Sequence, residues 1–359
     1  MQLLMLGTMA LAGARPNEYR VRTAPASGCI APPCTIAAEA MLTSEDPLPA
    51  EFTWGSAPIA GGKRHSFLTR VLNQHLPQYC GSCWAFASLA ALADRIKIAR
   101  GAEAPGPDVH LSVQHLLNCG LAGSCRGGSP TDAYAWLLNI SRAGSGIAFE
   151  SVNPYLACSG DTREGFCKSD AALRDTGTQT EQCTPVNIAK DCSTFGAKCT
   201  ALSQYPNATI TAYGIVSGEE KIKREVLAHG PVACSVAALP LVTYSRGIYN
   251  DTAPDGGVDH VVSIVGWGED KGLKYWHVRN SWGESWGEMG FGRVAIGLLQ
   301  LDTECTWALP GPVTAHNFPC TEDGRNCLVK GDKLEDNAGP YSYDSSAGEG
   351  EQHDGVLAP

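Results

Sequence analysis

Asn73-Gln-His-Leu-Pro-Gln-Tyr-Cys-Gly-Ser-Cys-Trp-Ala85 joins a loop with glycine and proline to an apolar run in which Phe86, Leu89, Leu92, Ala93 and Ile96 recur at spacings of three and four. That spacing predicts a helix beginning at about Cys83 and burying one face. A cysteine in the first turn of a helix meets open N–H groups and a partial positive charge, which favour the thiolate over the thiol. Cys83 is therefore a candidate nucleophile.

Cys80-Gly-Ser-Cys83-Trp84 matches the signature of the papain and cathepsin family, and three further points carry the same resemblance. Gln74 precedes the cysteine, His260 sits in Asp-His-Val-Val-Ser-Ile-Val-Gly-Trp-Gly, and Asn280 opens Asn-Ser-Trp-Gly-Glu-Ser-Trp-Gly. A chain that resembles papain-like cysteine peptidases is expected to be α+β and two-lobed, with a helical left lobe, a β-barrel-like right lobe and the cleft between them. The resemblance implies that Cys83 attacks the peptide carbonyl, while His260 protonates the leaving amine and later activates water. Asn280 orients the His260 ring, and Gln74 with the Cys83 backbone N–H stabilises the oxyanion. Trp282 covers the Asn280–His260 bond. Gly127 and Gly128 line the cleft, where a residue without a side chain lets the substrate backbone approach. Disulfides Cys80–Cys125 and Cys234–Cys305 are also implied.

One departure narrows the resemblance. His75-Leu76-Pro77 intervenes between Gln74 and Gln78, as in the cathepsin X group, also called cathepsin Z, whose members remove single residues from peptide C-termini. His75 is then the group that binds the free carboxylate, Tyr79 adds a hydroxyl contact and Pro77 stiffens the loop. An imidazole of ordinary pKa, ~6.5, is mostly protonated in an acidic lumen. Its charge-assisted hydrogen bond would add roughly 1.5–3 kcal/mol, about ten- to a hundredfold in preference.

The whole chain, 359 residues with 43% hydrophobic and 18% charged, is long enough for one large two-lobed domain. A net charge of -10 disfavours nucleic acid or an anionic membrane as main partner. Residues 1–14 are apolar, too short to span a bilayer, and end in Ala12-Gly13-Ala14, as a secretory signal does. Residues 15–47 read as a short propeptide, 48–310 as the peptidase domain and 311–359 as an acidic, disordered extension. In the cathepsin X group a propeptide cysteine caps the nucleophile, a latch that Cys29 or Cys34 would supply here, whereas an even count of the other cysteines equally allows Cys29 and Cys34 to pair with each other and leave Cys83 free. Fifteen cysteines place the chain in the secretory pathway, delivered to a lysosome or equivalent acidic vacuole or secreted. Asn139, Asn207 and Asn250 open N-glycosylation triplets. The expected partners are peptides and proteins with free C-termini, and the expected state is a monomer without cofactor or metal.

Glu219 to His229 reads as an amphipathic helix with Ile222, Val226 and Leu227 inward, stopped by Gly230-Pro231. Val232 to Ala238, Val258 to Gly266, Lys274 to Val278 and Phe291 to Ile296 read as strands. His260 lies farther from Cys83 than the family's ~130–150 residues. The surplus falls in 158 to 199, where Cys158, Cys167, Cys183, Cys192 and Cys199, with Cys119, leave their connectivity open. Irregular spacing speaks against zinc there. Three other readings compete. A thiol oxidoreductase explains Cys80-Gly-Ser-Cys83 but not His260 or Asn280, and a non-catalytic binding protein has only the acidic tail in its favour. A papain-like endopeptidase requires the inserted loop to point away from the cleft.

Overall fold

The computed structural model describes residues 28–29, 47–102, 108–162, 183–192, 199–252 and 256–314. The expected signal peptide, Cys34, and the tail beyond 314 lie outside the described residues. Helix α1 (Cys83–Arg100) begins at the expected cysteine and runs for 18 residues. It does not bury one face only: from Cys83 to Ile96 every side chain except that of Ala90 is buried. A helix enclosed on all sides must pair each polar group it carries. Asp94 does so with Thr69 and Arg279, and Arg95 with Glu225 at 2.8 Å and with the carbonyls of Gly230, Pro231 and Ala308.

Around α1 pack α2 (Val113–Cys119) and α3 (Pro130–Arg142), and the short α4 (Pro185–Ile188) lies against α2, where Asn118 donates to Asn187 O at 2.8 Å. Ser112 caps α2 by accepting from His115 N–H, and Ser129 caps α3, whose first residue is Pro130. Leu116, Leu117, Tyr134 and Leu137 close this core against α1. Helix α5 (Glu219–His229) has the predicted bounds, with Ile222 and Val226 buried and Leu227 half-buried against the second core.

That second core is covered by a ten-stranded sheet. Its strands are β1 (Gly28–Cys29), β2 (Phe52–Thr53), β3 (Ile147–Ala148), β4 (Asn207–Val216), β5 (Val232–Val236), β6 (Ile248–Tyr249), β7 (His260–Asp270), β8 (Leu273–Arg279), β9 (Phe291–Ala295) and β10 (Cys305–Thr314). The order is β1-β4-β10-β5-β7-β8-β9-β6, with β2 added to β7 and β3 to β4. All pairs are antiparallel except β6 with β9. Among the described residues the sheet does not close into a barrel. Strand β10 continues four residues past the expected domain boundary at 310, to Thr314.

Cys234 and Cys305 face each other across β5 and β10 and are bonded, as are Cys80 and Cys125. In the cysteine-rich stretch Cys119 joins Cys183, Cys192 joins Cys199, and Cys158 is also in a disulfide. Cys83 is in no disulfide, so the propeptide latch is not formed in this structure. Asn139 and Asn250 are exposed, whereas the Asn207 side chain donates to Tyr205 O at 3.0 Å. No described helix is long and apolar enough to cross a membrane.

His115 is buried in α2, and its Nδ1 accepts the Ala148 N–H at 3.1 Å, a bond only the neutral ring can take. Burial lowers its pKa to about 3. The unfolded chain therefore binds the extra proton below the ordinary pKa of ~6.5. Its contribution is intact above that value and is lost as pH falls toward the folded value. His115→Gln removes this titration. Thermal unfolding across pH should show wild type losing about 2–3 kcal/mol more than the variant between about pH 7 and about pH 4.5. Parallel curves would contradict it.

Candidate active site

Cys83 stands at the first position of α1, fully buried. No side chain caps the helix, because the Ser82 hydroxyl bonds the Tyr155 hydroxyl at 2.8 Å instead. The electropositive end of α1 thus falls on the cysteine without a capping oxygen between them. One turn along, Ala87 O accepts from Ser263 Oγ at 3.2 Å, which docks β7 on α1. Val261 packs in the same apolar cluster as Cys83. The start of β7, and with it His260, is brought to the cysteine's end of the helix.

The orientation of His260 follows from its partners. Asn280 Oδ1 lies 2.8 Å from His260 Nε2 and 2.8 Å from the Ser281 backbone nitrogen. A backbone N–H only donates, so the Asn280 atom at that place is the oxygen. An oxygen there accepts from His260, which assigns a proton to Nε2. The Trp282 ring lies over His260 at 4.7 Å between centroids, and Trp286 meets Trp282 edge-on at 5.6 Å. Trp282 thus covers a face of the His260 ring whose edge Asn280 holds.

Gln74 is fixed by the same logic. Its Nε2 donates to Cys80 O at 3.0 Å, its Oε1 accepts from Ser281 Oγ at 2.6 Å, and its backbone N–H donates to Ser281 O at 2.8 Å. Tyr155 completes the hold by donating to Gln74 O at 2.7 Å. Ser281 thus touches both Asn280 and Gln74. Ser281 and Tyr155 were not singled out from the sequence. Ser281 lies inside the Asn-Ser-Trp-Gly motif and was legible there, whereas nothing local marks Tyr155.

The inserted segment leaves Gln74 and returns to Cys80. Its base is pinned beside the tryptophan: Asn73 bridges to Trp282, and Gly283 N–H donates to Leu72 O. His75 is half-buried, its N–H donates to Asn73 Oδ1 at 2.9 Å, and its ring stacks on Tyr79 with centroids 4.7 Å apart and planes at 7°. Leu76 and Pro77, joined by a cis peptide, are exposed.

Gly127 and Gly128 pair with Gly123 and Ser124 in a small hairpin that the Cys80–Cys125 disulfide fastens to the loop before Cys83. Gly127 has φ 106, the left-handed region that disfavours side chains. A Cβ at Gly128 would run into the Trp84 indole, so that glycine answers to packing beneath the hairpin. Trp84 Nε1 also donates to Ser124 O at 3.2 Å.

The model of papain family cysteine proteases matches residues 49–308. Cathepsin Z of Onchocerca volvulus is 36% identical over 277 residues, covering 74% of this chain and 79% of that protein. Cathepsin B-like cysteine proteinase 5 of Caenorhabditis elegans is 33% identical over 234 residues, covering 63% of this chain and 65% of that protein. The solved digestive procathepsin L2 proteinase from Tenebrio molitor larval midgut is similar at TM-score 0.52 and 27% identity, covering 74% of this chain and 69% of that one. This chain belongs to the papain family of cysteine proteases. Its two-lobed α+β architecture is that of the family.

In this papain-family chain Ser281→Ala removes the hydroxyl that holds the Gln74 amide by its oxygen. kcat should fall by roughly threefold to tenfold with little change in KM, for the loss of about one buried hydrogen bond. Steady-state kinetics on a peptide substrate checks it, and a change confined to KM would contradict it.

Proposed function

We propose that this protease is a cysteine carboxypeptidase that releases single residues from the C-terminus of peptides and proteins. The supporting observation is the inserted loop, which carries His75 stacked on Tyr79 and is anchored at Asn73 to Trp282, beside Asn280 and Ser281. A cation held there meets the carboxylate of a leaving residue and gives a substrate that ends at that point an advantage over one that continues.

Hydrolysis proceeds in two steps. The Cys83 thiolate attacks the scissile carbonyl, and the oxyanion takes hydrogen bonds from the Cys83 backbone N–H and the Gln74 side-chain amide. His260, held through Nε2 by Asn280, delivers the Nδ1 proton to the departing amine. The leaving residue departs with its carboxylate from His75, and Tyr79 keeps the imidazole plane in place. Water, deprotonated by His260 Nδ1, then attacks the thioester and releases the shortened peptide. Gly127 and Gly128 carry the substrate backbone on the opposite side, and Trp282 roofs the His260–Asn280 pair. No cofactor or metal enters any step. Substrates are peptides with free C-termini, and the chain acts as a monomer in the secretory pathway, in a lysosome or equivalent acidic vacuole or outside the cell.

Matched peptides, one a C-terminal acid and its twin an amide, separate this reading from an endopeptidase. At mildly acidic pH the reduced enzyme should shorten the acid by single residues and leave the amide. Internal cleavage of both at equal rates would discard the exopeptidase. Cys83→Ser should abolish hydrolysis. His75→Ala should reduce the acid-over-amide preference by about ten- to a hundredfold, the value of one charge-assisted hydrogen bond. An unchanged preference would remove His75 from the role.

A further inference from the structure

Asp94 lies eleven residues after Cys83 on α1, about three turns along at 3.6 residues per turn, so both project from nearly the same side of the helix. Its carboxylate is fully buried and accepts four hydrogen bonds. Oδ1 takes the Thr69 N–H at 2.7 Å, the Thr69 hydroxyl at 2.8 Å and Arg279 Nη1 at 3.1 Å, while Oδ2 takes Arg279 Nη2 at 2.6 Å. Arg279 Nη1 is also 3.2 Å from Thr69 O. All three residues are buried.

Each partner sits next to a part of the active site. Arg279 is the last residue of β8 and directly precedes Asn280. Thr69 begins the segment that reaches Asn73 and Gln74. The helix itself carries Cys83. We infer that Asp94 is a positioning residue for the proposed chemistry: through the fork with Arg279 and the bonds to Thr69 it sets Asn280 and Gln74 against the helix that bears Cys83. This rests on the Cys83–His260–Asn280 reading above.

The planar guanidinium, gripping two carboxylate oxygens and a carbonyl at once, fixes the end of β8 in direction as well as distance. Coupling then runs from Arg279 through one peptide to Asn280, whose oxygen orients His260. A small rotation at that end tilts the imidazole, and a displacement of about 1 Å in such a site costs as much as a hundredfold in rate. Asp94 touches no substrate, so its loss should appear in kcat and leave KM nearly unchanged.

The test separates positioning from stability. Replacing a buried ion pair by apolar residues of similar size is often neutral for folding. The double variant Asp94→Leu with Arg279→Met is therefore compared with wild type for Tm, for kcat and KM on a peptide acid, and for the rate of Cys83 alkylation by iodoacetamide at mildly acidic pH. The expected result is a folded protein with kcat lowered roughly ten- to a hundredfold, KM within about twofold, and slower alkylation. Wild-type kcat in the folded double variant overturns the inference. If the double variant does not fold, Arg279→Lys keeps the charge without the fork. It should hold Tm near wild type while lowering kcat severalfold, and an unchanged kcat is fatal to the inference. Cys83→Ser, run alongside, tests the reading beneath. Activity remaining in it would reject the cysteine mechanism, whatever Asp94 does.

Discussion

Burial of α1 along most of its length is the constraint from which the rest of the molecule follows. A helix with Cys83 at one end and protein around most of its length cannot leave a buried polar group unpaired without a cost of about 1–3 kcal/mol or more per group. Asp94 and Arg95, adjacent in sequence and about 100° apart on the helix, therefore reach in different directions. One gathers Thr69 and Arg279, and the other gathers Glu225 and three backbone carbonyls. The helix is thereby bonded to the segments on both sides of it. The end that carries Cys83 has no side-chain cap, which leaves the positive end of the helix to the cysteine.

At the site itself, bonds that run only one way decide the chemistry. The Ser281 N–H fixes the Asn280 oxygen, the Asn280 oxygen fixes the proton on His260 Nε2, and the Cys80 carbonyl fixes the amide nitrogen of Gln74. Neither amide can flip without setting like groups against each other. In the proposed mechanism this local order gives one imidazole nitrogen to the reaction and the other to orientation. The inserted loop hangs from the same framework, since Gln74 is both its first anchor and the proposed oxyanion donor.

Much of this was legible in the sequence, and the remainder was not for identifiable reasons. The start of α1 and the bounds of α5 followed from apolar spacing and glycine stops. The extent of burial of α1 did not, because its many alanines blur a one-sided pattern. Its Asp94-Arg95 pair within an apolar run was the available signal. Strand β10 carries Pro310 and Pro312, which have no N–H to give to a sheet, so its second half did not read as a strand. Cys83, His260, Asn280 and Gln74 were readable as a constellation of motifs. Tyr155, Thr69 and Arg279 act through contacts between distant segments, which no local pattern encodes.

The most direct measurement is a crystal structure of Cys83→Ala with an uncleaved peptide that has a free C-terminus. The terminal carboxylate should lie within hydrogen-bond distance of the His75 ring, and the last peptide bond should lie over residue 83 with its carbonyl oxygen toward the Gln74 amide. A peptide that passes His75 and continues along the cleft, or one whose carboxylate is seated elsewhere, would contradict it.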